Sequence, residues 1–175
     1  QPIDWRKVIV TLVDERFVPE SSDRSNAALV RGNLLVNEAA AARFVGLYRA
    51  ADDVEAAARQ ANEELSALPW PLDVAILGMG TDGHTASFFP DAGTLPQLLD
   101  PAGSELVEPV RADSAGEPRL TLPIGRLLDA RFVALHIEGE EKRGVLEKAL
   151  EPGHTRPVSA VFANSSKPVP VYWAG

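Results

Sequence analysis

A short apolar run, Val74-Ala75-Ile76-Leu77, breaks into a loop spaced by Gly78, Gly80 and Gly83 that holds one acid, Asp82, and one imidazole, His84. The run reads as the end of a buried strand, and open α/β sheets take their ligands at the carboxyl ends of such strands. Glycine lets backbone N–H groups turn toward a ligand with no Cβ in the way. A histidine at that place can accept a proton near neutral pH. The same glycines also suit an ordinary strand-to-helix turn, so the acid and the imidazole carry the functional reading.

The rest of the chain repeats the alternation of strand and helix. Val8–Val13 is a continuous β-branched run, as expected of a strand covered on both faces. Ser25 or Asn26 caps a helix reaching about Ala42, and Arg43–Tyr48 follows as a short strand. Asp52 or Asp53 caps a second helix whose Val54, Ala57, Ala58, Ala61, Leu65 and Leu68 form an apolar stripe. Residues 91–103 read as loop, 105–110 and 119–123 as strands, and 124–128 as a short helix. Phe132–Ile137 is a further buried strand, 140–150 a helix with Val145, Leu146, Ala149 and Leu150 inward, and Val169–Trp173 a last strand. The fold class is therefore α/β, a mostly parallel sheet with helices on both faces, and residues 1–175 form one domain.

Two further places attract attention. Asp14-Glu15-Arg16 sits at the carboxyl end of a strand and reads either as a solvated rim or as a grip for phosphate or carboxylate oxygens, with the two acids holding Arg16. Lys142 lies in the first turn of a helix, where a cation is misplaced unless an anion is bound with it, although a plain surface lysine is the commoner reading of the position. Of the other histidines, His136 reads as a sheet residue and His154 as part of an exposed turn.

The totals exclude several classes. A net charge of −8 argues against nucleic acid, whose phosphates demand a basic face. There is no cysteine, so disulfides and thiolate chemistry are excluded, and no histidine pair has metal-ligand spacing. No apolar stretch approaches membrane-spanning length, and the chain reads as cytoplasmic.

Three segments taken in order resemble the glucosamine-6-phosphate isomerase/6-phosphogluconolactonase family. They are Asp14-Glu15-Arg16-Phe17-Val18-Pro19 with Ser25-Asn26, the loop Gly78–Ser87 with Phe88-Phe89-Pro90, and Arg119-Leu120-Thr121 with Gly139-Glu140-Glu141-Lys142. The resemblance to its lactonase branch implies a Rossmann-like sheet shared with sugar-phosphate isomerases. It also implies hydrolysis of 6-phosphoglucono-1,5-lactone in the oxidative pentose phosphate pathway, with no cofactor and no metal. His84 would be the base, with Asp82 or a neighbouring backbone carbonyl fixing its tautomer; N–H groups around Gly80–Gly83 would serve the oxyanion; Arg16, Arg119 and Lys142 would meet the phosphate. The deaminase branch shares the Asp-Gly-His core but carries an additional acid where this chain has Ala86-Ser87-Phe88-Phe89-Pro90. A deaminase and a non-catalytic sugar-phosphate-binding domain remain the alternatives. The family also places a strand and a Gly-Gly-Ser/Thr loop ahead of the Asp-Glu-Arg segment, and nothing of that kind precedes Gln1. The chain is thus expected to be the carboxyl-terminal part of a longer domain, with an exposed sheet edge that associates with the amino-terminal segment or with a second copy.

Overall fold

A computed structural model describes residues 3–175. Three small sheets carry the architecture. Strands β1 (Ile9–Thr11) and β3 (Arg43–Val45) pair in parallel. So do β4 (Val74–Leu77), β7 (Phe132–Glu138) and β8 (Val171–Ala174), in the order β4-β7-β8. The third sheet is antiparallel, with β6 (Arg119–Thr121) between β2 (Asp14–Arg16) and β5 (Glu108–Val110). The α/β class holds, but the sheet is less uniformly parallel than its strand–helix alternation suggests.

Helix α1 (Asn26–Asn33) begins where the Ser25 side chain accepts from the Ala28 N–H. It stops well short of Ala42. A 3-10 turn over Asn37–Ala41 takes the intervening residues, entered through Asn37 at a φ of 52°. Helix α2 (Val54–Ser66) is capped by Asp53, whose carboxylate accepts from the Ala56 N–H at 2.6 Å. Its stripe of Val54, Ala57, Ala58, Ala61 and Leu65 is buried as the periodicity requires. A short helix, α3 (Leu95–Leu98), interrupts the stretch expected to be loop. Helices α4 (Ile124–Asp129), α5 (Glu140–Ala149) and α6 (Pro157–Asn164) follow, and α5 turns Leu146 and Ala149 inward while leaving Leu150 exposed.

Two expected buried strands are open instead. The run 8–13 splits: β1 ends at Thr11, and the chain leaves to pair through β2 with β6. In β4, Ala75 and Leu77 are buried but Val74 and Ile76 are more than half exposed. Among the described residues, neither β1 nor β4 has a neighbour on its second edge. Between those edges lies an apolar groove of about 710 Å³, lined by residues 8–14, Leu72, Val74, Ala75 and Ile76, with Leu29, Val30 and Leu34 of α1 along it.

Candidate active site

Leu77 delivers the chain to the glycine loop, and the loop's own bonds shape it. The Gly80 N–H donates to the His84 carbonyl at 2.9 Å, the Gly83 N–H to the Gly80 carbonyl at 3.0 Å, and the Thr85 hydroxyl to the Gly78 carbonyl at 2.7 Å. Gly78, Gly80 and Gly83 follow the Gly-x-Gly-x-x-Gly spacing, yet no helix opens behind them before Leu95. Without a helix N-terminus the loop lacks the usual dinucleotide cradle. The N–H groups of Gly80 and Gly83 are consumed inside the loop, so these two of the N–H groups around Gly80–Gly83 are not turned to an oxyanion. Their function is space. A Cβ on Gly80 would lie 2.3 Å from His84 Cε1 and 2.8 Å from Asp82 Oδ1, and Gly83 sits at a φ of +83°.

Asp82 and His84 form the pair that their spacing suggested. His84 Nδ1 lies 2.6 Å from Asp82 Oδ1, and the His84 backbone N–H donates to the same oxygen at 3.1 Å. Partial burial pushes the Asp82 carboxyl up, but these two bonds outweigh it and hold the group below its ordinary range. With Nδ1 committed to the carboxylate, the imidazole keeps Nε2 for proton transfer. The ring is 30% exposed, so it lines the surface and not the core. It rests on Phe89, with ring centroids 4.5 Å apart.

The guanidinium of Arg119 packs on the same Phe89 ring, its Cζ 5.3 Å from the centroid. Arg119 stands directly opposite Arg16 in the β2–β6 ladder. Like charges at such positions repel, and burial together with Arg16 pulls the Arg119 pKa below its ordinary value. Among the described residues, each of the two arginines retains a buried Nε–H with no partner. The Arg16 guanidinium is not held by Asp14 and Glu15 as expected. Its Nη1 donates instead to the Arg24 carbonyl at 2.6 Å and the Asn26 side chain at 3.2 Å. Arg119 donates to the Ala115 carbonyl at 2.9 Å. Both Nε–H groups are closed off from solvent and stay unsatisfied within the described residues.

The two acids beside Arg16 do different work. Glu15, wholly buried, accepts from the N–H groups of Arg16, Asn26 and Ala27 and from the Ser25 hydroxyl, fastening β2 to the start of α1. Asp14 belongs to the site, which sequence reasoning missed. It accepts from the Ser87 hydroxyl at 2.8 Å. Burial raises its pKa, against the opposing pull of Ser87, Arg119, Arg16 and His84. The clue was its place at a strand's carboxyl end, but its partners come from three separate segments. Lys142 is in the first turn of α5, behind β7, the strand next to β4. Among the described residues it has no hydrogen bond or ion pair, and the structure does not bring it into contact with the other predicted residues. No group of acids and histidines suited to a metal occurs among the described residues.

An acid–imidazole pair in a glycine loop at the carboxyl end of a parallel strand, with two facing arginines packed beside it, is the kind of site a Rossmann-like frame presents. The chain belongs to the family described as glucosamine-6-phosphate isomerases/6-phosphogluconolactonase, whose model matches residues 1–173. Among its relatives is a 6-phosphogluconolactonase of Mesorhizobium japonicum, 61% identical over 173 residues that cover 99% of this chain and 73% of the relative. One from Rhizobium meliloti is 51% identical, covering 98% and 75%. A crystal structure of a 6-phosphogluconolactonase from Shewanella baltica superimposes with a TM-score of 0.94 at 41% identity, covering all of this chain and 75% of that one.

Proposed function

We propose that this chain hydrolyses 6-phosphoglucono-1,5-lactone to 6-phosphogluconate, with His84 as the base, Asp82 orienting it, and Arg16 and Arg119 holding the phosphate. The facing arginines beside the acid–imidazole pair carry the reading: Arg16 and Arg119 stand opposite each other in the β2–β6 ladder, and Arg119 shares the Phe89 ring with His84. Similarity to relatives named for this activity supports it. His84 Nε2 takes a proton from water as the water oxygen bonds to the lactone C1, moving the carbonyl pair onto oxygen. When that pair returns, the bond from C1 to the ring oxygen breaks, and Nε2–H gives its proton to the leaving oxygen. Asp82 stays ionised and stabilises the imidazolium between the two transfers. Lys142 is assigned to the phosphate end on topology alone.

Two measurements test this. Acid formation from fresh lactone, with spontaneous hydrolysis subtracted, should require His84: His84→Ala abolishes turnover but leaves phosphate-ester binding largely intact. Near-normal turnover by that variant, or ammonia release from glucosamine 6-phosphate, would overturn the assignment.

The groove between β1 and β4 is the seat we assign to one further parallel strand of the family domain. In the β1–β3 ladder Val8 accepts from Arg43, and in the β4–β7 ladder Asp73 accepts from Phe132. By alternation, the backbone groups of Ile9, Thr11, Val74 and Ile76 face the groove. A strand residue fills about 3.3 × 4.8 × 10 Å, so the volume suits about four residues. This chain spans 73% and 75% of the two relatives' lengths, which leaves in each far more chain than one such strand needs. Mixing the chain with the part of the Mesorhizobium japonicum relative outside the matched region should give a one-to-one complex with amide-exchange protection at Ile9, Thr11, Val74 and Ile76. Self-association through these edges, or no protection, refutes it.

A further inference from the structure

Arg156 lies 74 residues beyond Asp82 and belongs to none of the family-like segments. It is the residue before Pro157, at the N-cap of α6, and proline restricts it to the extended backbone it adopts. The base of its side chain is well anchored. Its N–H is within 3.4 Å of the Ser159 hydroxyl, which donates to the Ala149 carbonyl at 2.6 Å, and Val158 is fully buried.

From that base the side chain crosses the glycine loop. Its stem covers Gly83: a Cβ there would meet Arg156 Cδ at 2.5 Å and Cβ at 3.0 Å. Its Nη1 donates to the Asp82 carbonyl. The next carbonyl, that of Gly83, accepts from the Val158 N–H at 3.0 Å. Both peptide groups between the Asp82 and His84 side chains are therefore held by the first residues of α6. The loop's internal bonds reach neither of these two carbonyls.

We propose that Arg156 is a positioning residue, which sets the Asp82–His84 geometry by clamping the peptide that joins the acid to Gly83. It touches the loop from outside and needs no contact with substrate. The kinetic arm of the test rests on the lactone-hydrolysis reading; the spectroscopic arm does not. In the wild-type chain, ¹⁵N resonances of the His84 ring should report one tautomer, protonated at Nδ1 toward Asp82. In Arg156→Ala the ring should average between tautomers, kcat for the lactone should fall about tenfold, and KM should stay within about twofold. Arg156→Lys, which keeps a donor, should recover most of both signals. Arg156→Met, which keeps the stem over Gly83 but has no donor, should behave like the alanine variant and guards against a simple packing defect. A raised KM with unchanged kcat would make Arg156 a substrate ligand and overturn the proposal. So would an Arg156→Ala ring that keeps the wild-type tautomer. A wild-type chain that shows the single tautomer but no lactonase activity would refute the function and leave the clamp to be judged on the nitrogen spectra.

Discussion

Gly80→Ala is the sharpest perturbation of the site because it adds one methyl group and changes no charge. Gly80 is not in the left-handed region, so alanine meets no backbone penalty there. The collision is with the reacting pair: the new Cβ would lie 2.3 Å from His84 Cε1 and 2.4 Å from Nδ1. Ordinary contact begins at 3.4 Å, so the ring must retreat by about 1.1 Å. A displacement of about 1 Å costs about 100-fold in rate, or about 2.7 kcal/mol of transition-state stabilisation. The ring is a surface side chain and can move, so melting should change by only a few degrees. Gly78→Ala is the matched control, since its Cβ would meet nothing within 4 Å. Steady-state hydrolysis of fresh lactone should show kcat lost in the Gly80 variant and retained in the Gly78 variant. Equal activity in the two variants would refute the reasoning, because it would mean that the Asp82–His84 geometry does not limit the reaction.

Glu15→Ala strips the partner from two helix N–H groups and a buried hydroxyl, and should cost about 2–4 kcal/mol in denaturant unfolding. Arg119→Ala should raise KM for the phosphorylated lactone more than tenfold with a smaller change in kcat, and a competing phosphate ester should lose affinity in parallel. Burial raises the folded pKa of Asp14, so this group withdraws stability as pH climbs from its unfolded value of 3.8 through its folded one. The melting temperature of Asp14→Asn relative to wild type should therefore be more favourable at pH 7 than at pH 3.5, while turnover falls.

What the sequence disclosed was local. Asp82 and His84 are two residues apart in a glycine loop, so their pairing needed only the loop to turn. The α2 stripe was legible because a 3.6-residue period is written in consecutive residues. Arg16 and Arg119 could be picked out as cations, but their apposition depends on antiparallel pairing of segments 103 residues apart. No periodicity reports that. The run 8–13 looks like one strand because hydropathy cannot show that the backbone changes sheets at residue 12. Arg156 was invisible for another reason: its partner is a backbone carbonyl, which every residue possesses.

Phe89 lies beneath both His84 and Arg119, and that shared floor works as a ruler. The span from the imidazole to the guanidinium is gauged by the breadth of one aromatic plate. On the proposed roles of these two residues, a sugar lactone one carbon shorter between ring and phosphoryl group would occupy one end or the other, and would forfeit either its anchorage or its chemistry.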